Sequence, residues 1–317
     1  MDAFRCLRLS VLVQARDNIQ LPSYQGSVIR GAFGNALRGI VCAVRNQDCS
    51  DCLLKDKCVY SYAFETAPPS NSKVLRKHTS VPRPFVLTPV TGKGGVYEPG
   101  MTFGFQMTLV GRATKHLPYF VYAFMQMGEK GLGRGRGRFR TEKITVSDEE
   151  GRVVETVYEK EVLRAAKTLL SFDHARELAK TYSPDEITLK FLTPVRIRYQ
   201  EKLCDNLQFH ILIRNLARRL SNLLYFHCNQ ESGLLFKEII DKAKSVNLTR
   251  RQIRWYDWTR YSGRQKKQVK MGGVIGEVTY KGDIGEFLPM LVAGSWVNIG
   301  KGTAFGLGRF DLVRKDV

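Results

Sequence analysis

Four of the seven cysteines fall within seventeen residues, spaced Cys42-x6-Cys49-x2-Cys52-x5-Cys58. Four thiolates can close a tetrahedral zinc site, and the two-residue gap lets backbone amides fold over both sulfurs. An iron–sulfur cluster is the alternative for the same ligand set. The intervening Gln47-Asp-Cys-Ser-Asp-Cys52 is a poor setting for sulfur buried only for packing. With sulfur at all four positions no place stays open for substrate, so the metal is expected to be structural. Cys6, Cys204 and Cys228 lie in apolar periodic stretches and are expected in the core.

Two glycine-rich runs point to a different chemistry: Gly131-Leu-Gly133-Arg-Gly135-Arg-Gly137-Arg138 and Gly300-Lys-Gly302-Thr-Ala-Phe-Gly306-Leu-Gly308-Arg309. Without a Cβ, backbone can approach a ligand closely and turn successive N–H groups toward a phosphate. Arg134, Arg136, Arg138, Arg140, Lys301 and Arg309 add charge beside those amides. A nucleoside-triphosphate loop would need Ser or Thr after Gly-Lys, whereas Gly302 follows Lys301. A dinucleotide fingerprint follows a strand and opens a helix; these runs follow a helical pattern and open a strand. Backbone-phosphate contact is therefore expected at Arg134, Arg136, Arg138, Gly300, Lys301, Gly302, Gly306 and Gly308.

A third segment, Arg250 to Lys270, interleaves cations with Trp255, Tyr256, Trp258 and Tyr261. Cations hold phosphates and aromatic faces stack on unpaired bases, so Arg254, Arg260, Tyr261 and Arg264 are expected to touch nucleic acid. The alternation assigns Trp255, rather than Tyr261, to the buried side of a hairpin. Arg76-Lys-His78-Thr-Ser-Val-Pro-Arg83 is a lesser basic candidate.

The charge balance agrees. Fifty Lys and Arg against thirty Asp and Glu leave +20 on 317 residues, an excess that repels itself on folding and suits a polyanionic partner. The longest runs free of Asp, Glu, Lys and Arg, 117–128 and 287–300, are too short for the ~20 apolar residues of a membrane span. No signal-peptide core opens the chain, and an odd, unevenly spread cysteine set is unlike a secreted disulfide framework. A soluble cytoplasmic protein with no membrane partner is expected.

The elements that must position these groups come from an internal repeat. Offset by 171 residues, 108–139 aligns without a gap on 279–310 with eleven identities, among them Leu117-Pro118 with Leu288-Pro289 and Gly135, Gly137, Arg138, Phe139 with Gly306, Gly308, Arg309, Phe310. Ordinary composition would give roughly two. Each copy reads strand (101–110, 273–281), helix with proline in its first turn (117–127, 288–295), Gly-rich loop, strand (138–146, 309–313). Upstream of each lies a strand (4–15, 187–199) and a helix, 26–44 with Ile29, Phe33, Leu37, Ile40 and Val44 inward, and 205–227 with Phe209, Leu212, Leu216, Leu220, Leu223 and Phe226 inward. The fold class is α+β: tandem ferredoxin-like domains of the RRM-like type, each with a Gly-rich loop before its last strand. The expected domains are 1–150 with a cysteine insertion at 42–58, a connector at 151–185 that is helical around 159–178, and 186–317.

Gly31-Ala-Phe-Gly-Asn-Ala-Leu-Arg-Gly39, the cysteines running into Cys58-Val-Tyr60 and Phe64-Glu65, Phe191-Leu-Thr-Pro194 with Arg218-Arg219, Trp258, Arg260-Tyr261-Ser262, Gly273 and the run from Val297 to Gly308 carry a family likeness. Together they resemble the CRISPR-associated repeat-RNA-processing endoribonucleases of the RAMP superfamily. The resemblance implies tandem ferredoxin-like domains with RNA lying across them, and other CRISPR effector proteins as partners. It implies metal-independent cleavage, in which the ribose 2′-OH attacks the adjacent phosphate to leave a 2′,3′-cyclic phosphate and a 5′-OH. Such chemistry needs a base, an acid and cations on the phosphorane. Family members often place a histidine beside the first helix, and here none precedes His78. The groups available as catalysts are Tyr24, Arg30, His78 and Lys301, with Arg38 also on the polar side of the first helix. His210 and His227 are assigned to helix or core, and His116 and His174 to no chemistry. Three functions stay open: a repeat-processing endoribonuclease, a RAMP protein that retains guide RNA without cutting it, and a zinc-dependent enzyme. An all-sulfur ligand set and the unexplained charge disfavour the last.

Overall fold

The computed structural model describes residues 1–314 except Asn46, Ser70, 90–93 and 263–266, with Tyr261 and Ser262 described by their backbone. Two compact units emerge, one of residues 4–170 and 222–229, the other of 1–3, 171–221 and 230–317.

The first unit begins with β1 (Arg5–Ala15), whose Leu7, Leu9, Val11, Val13 and Ala15 are buried at period two. There follow β2 (Ile19–Leu21), α1 (Gly26–Val41), α2 (Val59–Phe64), β3 (Phe85–Pro89), β4 (Gly95–Tyr97), β5 (Thr102–Val110), α3 (Leu117–Lys130), β6 (Phe139–Ser147), β7 (Val153–Glu159) and β8 (Val162–Leu163). β1 pairs antiparallel with both β5 and β6, giving the order β3-β5-β1-β6-β7-β8. α1 buries Ile29, Phe33, Ala36 and Leu37, and Phe33 packs among Phe64, Phe85, Phe120 and Phe124. Gly34 admits the Phe64 ring: a Cβ there would lie 2.7 Å from a ring carbon. The helix stops at Val41, so Val44 lies beyond it and is exposed rather than inward.

After β9 (Leu170–Ser171) the second unit contains α4 (Phe172–Ala179), β10 (Glu186–Val195), β11 (Arg198–Tyr199), β12 (Lys202–Leu203), α5 (Phe209–His227, through Ser221), α6 (Phe236–Ala243), β13 (Asn247–Tyr256), β14 (Thr259–Ser262), β15 (Lys267–Lys270), β16 (Gly273–Lys281), α7 (Leu288–Val297) and β17 (Phe310–Val313). Its sheet runs β13-β16-β10-β17. In both units the second, third, first and fourth strands of a β-α-β-β-α-β series lie side by side in that order, which is the ferredoxin-like arrangement. The repeat is visible element by element: β5 with β16, α3 with α7, β6 with β17. Each helix is entered through a short 3-10 turn, with proline in its own first turn where the absent N–H has no partner to lose. α7 is buried almost all round and packs on α4, with Gly294 against Leu216 of α5.

The helix expected around 159–178 is shorter. Phe172–Ala179 is helical, closed by a capping box in which the Ser171 hydroxyl and the His174 ring each take a backbone N–H. The residues before it are strands: β7 adds to β6 and β8 to β7. The β-branched and aromatic residues of Val153-Val-Glu-Thr-Val-Tyr-Glu159 favour an extended strand, and β6 supplies the edge to pair with.

Candidate nucleic-acid interface

The C-terminal Gly-rich run, between α7 and β17, is a closed turn. Ile299 N–H donates to Gly308 (2.9 Å), Gly300 to Asn215 Oδ1 (3.1 Å), Lys301 to Arg196 (2.9 Å), Gly306 to Thr303 (2.9 Å), Leu307 to Gly302 (3.3 Å) and Gly308 to Pro194 (3.0 Å). Gly300, Gly302, Gly306 and Gly308 all have φ between 74° and 84°, a region only glycine enters without strain. The glycines therefore let the chain fold on itself, and most amides expected to face a phosphate are bonded inward. Those of Gly302, Thr303 and Ala304 have no protein acceptor among the described residues.

Beneath the turn, Arg219 is buried and donates to the carbonyls of Val297 (3.0 and 2.6 Å) and Asn298 (2.8 Å). These are orphan acceptors at the end of α7. Burial pushes its guanidinium down to about 9, but the three bonds to carbonyl oxygen favour the charged form, so it stays protonated at neutral pH. Arg219→Met keeps the stem and removes the donors. It is expected to lower stability by about 2–3 kcal/mol in urea unfolding, the net effect of orphaned carbonyls over relieved charge burial; a change below about 1 kcal/mol would contradict this role.

What the loop presents outward is charge. Lys301 is exposed, and partial burial with the neighbouring Arg198 and Arg196 pushes its ammonium below the usual lysine value. Arg196 donates to Gly272 O at 2.6 Å. Arg260 sits 4.5 Å over the Phe305 ring, and burial lowers its guanidinium too.

The N-terminal Gly-rich run closes in the same manner. Leu132 N–H donates to Gly137, Arg134 N–H to Gln20, and Arg138 N–H to Asp17 Oδ2. A Cβ on Gly133 or Gly137 would overlap the carbonyls of Gln20 or Asn18, so the run lies against β2 and its approach. Arg134 and Arg136 are exposed, whereas Arg138 pairs with Asp17 (2.8 Å) and Arg140 with Glu142 (2.6 Å). The hydrogen bonds from Arg138 hold the Asp17 carboxyl below its ordinary range.

In the basic aromatic segment β13 is an exposed edge strand, and Trp255 is 40% exposed, not buried. Its indole N–H donates to Asp257 Oδ1 at 2.9 Å, because Gly272 opposite leaves room for both groups. Arg254 is exposed, 5.9 Å from the Tyr256 ring. Arg264 lies outside the described residues, as does the side chain of Tyr261.

In the first unit, burial raises the Tyr24 phenol above its usual value, so at neutral pH it is a proton donor rather than a phenolate. Arg30 packs 4.9 Å over the Phe64 ring, and His78 is exposed on its loop. His227 is fully buried, its ring between the Tyr62 hydroxyl (3.2 Å) and Pro82 O (2.7 Å), a structural post at the end of α5. Cys6 is buried and burial raises its thiol to about 12; Cys204 and Cys228 are half-buried rather than core.

Cys42, Cys49, Cys52 and Cys58 are free thiols around one bend. Among the described residues no three His, Cys, Asp or Glu side chains converge closely enough to hold an ion. The donor set is nevertheless soft and complete for zinc. Arg38 stands at the bend, hydrogen-bonded to Gln47 O at 3.3 Å, where its charge would offset an anionic thiolate set. No helix among the described residues is long and apolar enough to cross a membrane.

Arg196, Arg198, Arg219 and Phe305 were not singled out for RNA contact or support from spacing. The first two follow directly on Phe191-Leu-Thr-Pro194, and that adjacency is the signal that could have found them.

No curated protein sequence matches the chain. Among solved structures, a chain of a partial Cas6-RT-Cas1–Cas2 complex superposes with a TM-score of 0.61 at 15% identity, covering 98% of this chain and 46% of that one. A Cas6 product complex gives 0.58 at 12% identity over 97% and 99% of the two chains, and Thermus thermophilus Cas6 gives 0.55 at 12% over 98% and 99%. The chain thus spans about half the length of the first of these, and at such identities the likeness is one of fold. Residues 4–169, more than half of the chain, match the model AF_1859_N, described as an N-terminal domain. Residues 189–310 match the model of the CRISPR-associated endoribonuclease Cas6. The chain therefore belongs to the AF_1859_N family, and its second part is similar to the CRISPR-associated endoribonuclease Cas6 family.

Proposed function

We propose that this protein is an RNA-binding endoribonuclease that cuts CRISPR precursor RNA within its repeats. The observation that carries the reading is the coincidence of the Cas6 match, 189–310, with the part of the chain where Arg196, Arg198, Arg260 and Lys301 gather around a glycine-built turn. Cleavage proceeds by 2′-OH attack on the adjacent phosphate, leaving a 2′,3′-cyclic phosphate and a 5′-OH, and draws on no metal ion. Lys301 supplies positive charge to the phosphorane. Tyr24, whose phenol carries its proton at neutral pH, is the candidate to donate to the leaving oxygen, and Arg30 and His78 are further candidates as cation and base. Exposed Arg134 and Arg136 hold backbone phosphate. The relatives' assembly with RT, Cas1 and Cas2 supports other CRISPR proteins as partners, and the protein acts in the cytoplasm in antiviral defence.

Labelled repeat RNA incubated with the protein in EDTA should be cut at one place to a cyclic-phosphate end. The lack of any histidine before His78 favours a second reading, a protein that retains guide RNA uncut. Tight binding of intact RNA would select it, and no affinity at physiological salt would remove both.

We also propose a structural zinc on Cys42, Cys49, Cys52 and Cys58, supported by their spacing and the neighbouring Arg38. Metal analysis of untagged protein should find close to one zinc per chain. A brown, iron-containing product would replace zinc by a cluster.

A further inference from the structure

Three cations meet where β10 ends. The Arg196 carbonyl accepts the Lys301 N–H at 2.9 Å, and its guanidinium reaches across to Gly272 O at 2.6 Å, so one residue ties β10, the start of β16 and the glycine turn together. Arg198, two residues on and exposed, commits Nε to Glu201 O at 2.9 Å, and its terminal nitrogens have no protein acceptor among the described residues. Asp257 is the acid facing Arg196, and the Trp255 indole already holds it at 2.9 Å. Lys301 makes no ion pair among the described residues. Like charges packed this closely repel unless an anion lies among them.

The same turn carries a stacking element. The Arg260 guanidinium lies 4.5 Å from the Phe305 ring centroid, and its Nε is buried without an acceptor among the described residues. Met271, whose N–H donates to Trp258 O at 2.9 Å, rests against Gly302, so the base of the β14–β15 hairpin is seated on this turn. A guanidinium plane backed by an arene is a platform for an unpaired base.

We propose that Arg196, Arg198 and Lys301 hold one phosphate of single-stranded RNA while the Arg260–Phe305 stack receives the adjoining base. The inference rests on the RNA-binding reading above and adds a nucleotide site with separate phosphate and base ends. Three planar or ammonium donors can surround a phosphate's oxygens from different sides, Arg198 by a two-pronged contact and Lys301 as a point charge. The base end is indifferent to sequence, because every base has a π-face.

The test titrates an oligouridylate, and an abasic phosphoribose chain of equal length, against wild-type protein, Arg198→Ala and Arg260→Lys over a range of salt. Arg198→Ala should weaken both probes and flatten the slope of log affinity against log salt by about 0.7 per lost single-strand contact. Arg260→Lys keeps the charge but loses the plane. It should weaken oligouridylate about tenfold and leave the abasic chain unchanged, erasing the wild-type preference for a base. An unchanged slope in the first variant, or equal weakening of both probes in the second, overturns the site. If wild-type protein cuts or retains repeat RNA while both variants match it, the site fails and the proposed function stands; if wild-type protein binds no RNA, both fail.

Discussion

Replacing Phe33 by Ala is expected to lower the stability of the first unit by about 4–5 kcal/mol, from lost burial, the cavity left behind and several aromatic contacts. Phe33 is wholly buried on α1, and its ring lies 5.1–5.9 Å from those of Phe64, Phe85, Phe120 and Phe124. It is the point where α1, α2, β3 and α3 meet, so the hole cannot close by shifting one element. Phe33→Leu, which retains most of the volume, should cost only about 1.5 kcal/mol. Gly31→Ala on the same helix faces open space and should stabilise by about 0.5–1 kcal/mol. Urea unfolding followed by near-ultraviolet circular dichroism reads all three. A loss below about 2 kcal/mol for Phe33→Ala would mean that the cluster relaxes around the gap.

The second large effect is at Gly308. Its φ is +74°, and a Cβ there would overlap the carbonyl oxygen of Ile299, the residue whose N–H donates to Gly308 O to close the turn. Gly308→Ala therefore adds left-handed strain of about 1–2 kcal/mol to a backbone clash that must be relieved by opening the turn, about 4 kcal/mol in all. Gly135→Ala is the comparison. Its φ is +85° but nothing stands within 4 Å, so only the strain of about 1–2 kcal/mol remains. If the two variants unfold at the same urea concentration, the close approach is not what the C-terminal glycine protects. Because Lys301 is carried on this turn, Gly308→Ala should also weaken RNA binding more than Gly135→Ala does.

The ferredoxin-like halves were legible because duplication writes the same pattern twice. Leu117-Pro118 and Leu288-Pro289 mark helix starts that a single copy would leave ambiguous, and the strands flanking them fall within one or two residues of expectation. The long helix was legible from its apolar spacing, with Phe209, Leu212, Leu216, Leu220, Leu223 and Phe226 all buried. β7 and β8 were not, because an edge strand is settled by the partner that accepts it. Trp255 went to the wrong side for a related reason: on an edge strand with both faces open, alternation does not distinguish core from solvent. The glycine runs mark tight backbone correctly, but glycine content is silent on whether amides point toward a ligand or back into the turn. In both runs the carbonyls of distant residues, Gln20 in one and Pro194 in the other, decide it.

β13 leaves one side of its backbone ladder unpaired among the described residues, over ten residues that include Arg250, Arg251 and Arg254. A strand of that length would ordinarily invite a second copy of the chain to zip onto it, seeding aggregates. Here two such borders brought together would stack arginine against arginine, so the molecules keep one another at a distance. Added salt or a sulfate-rich medium, which mutes that repulsion, should make the protein self-associate at concentrations where dilute buffer keeps it dispersed.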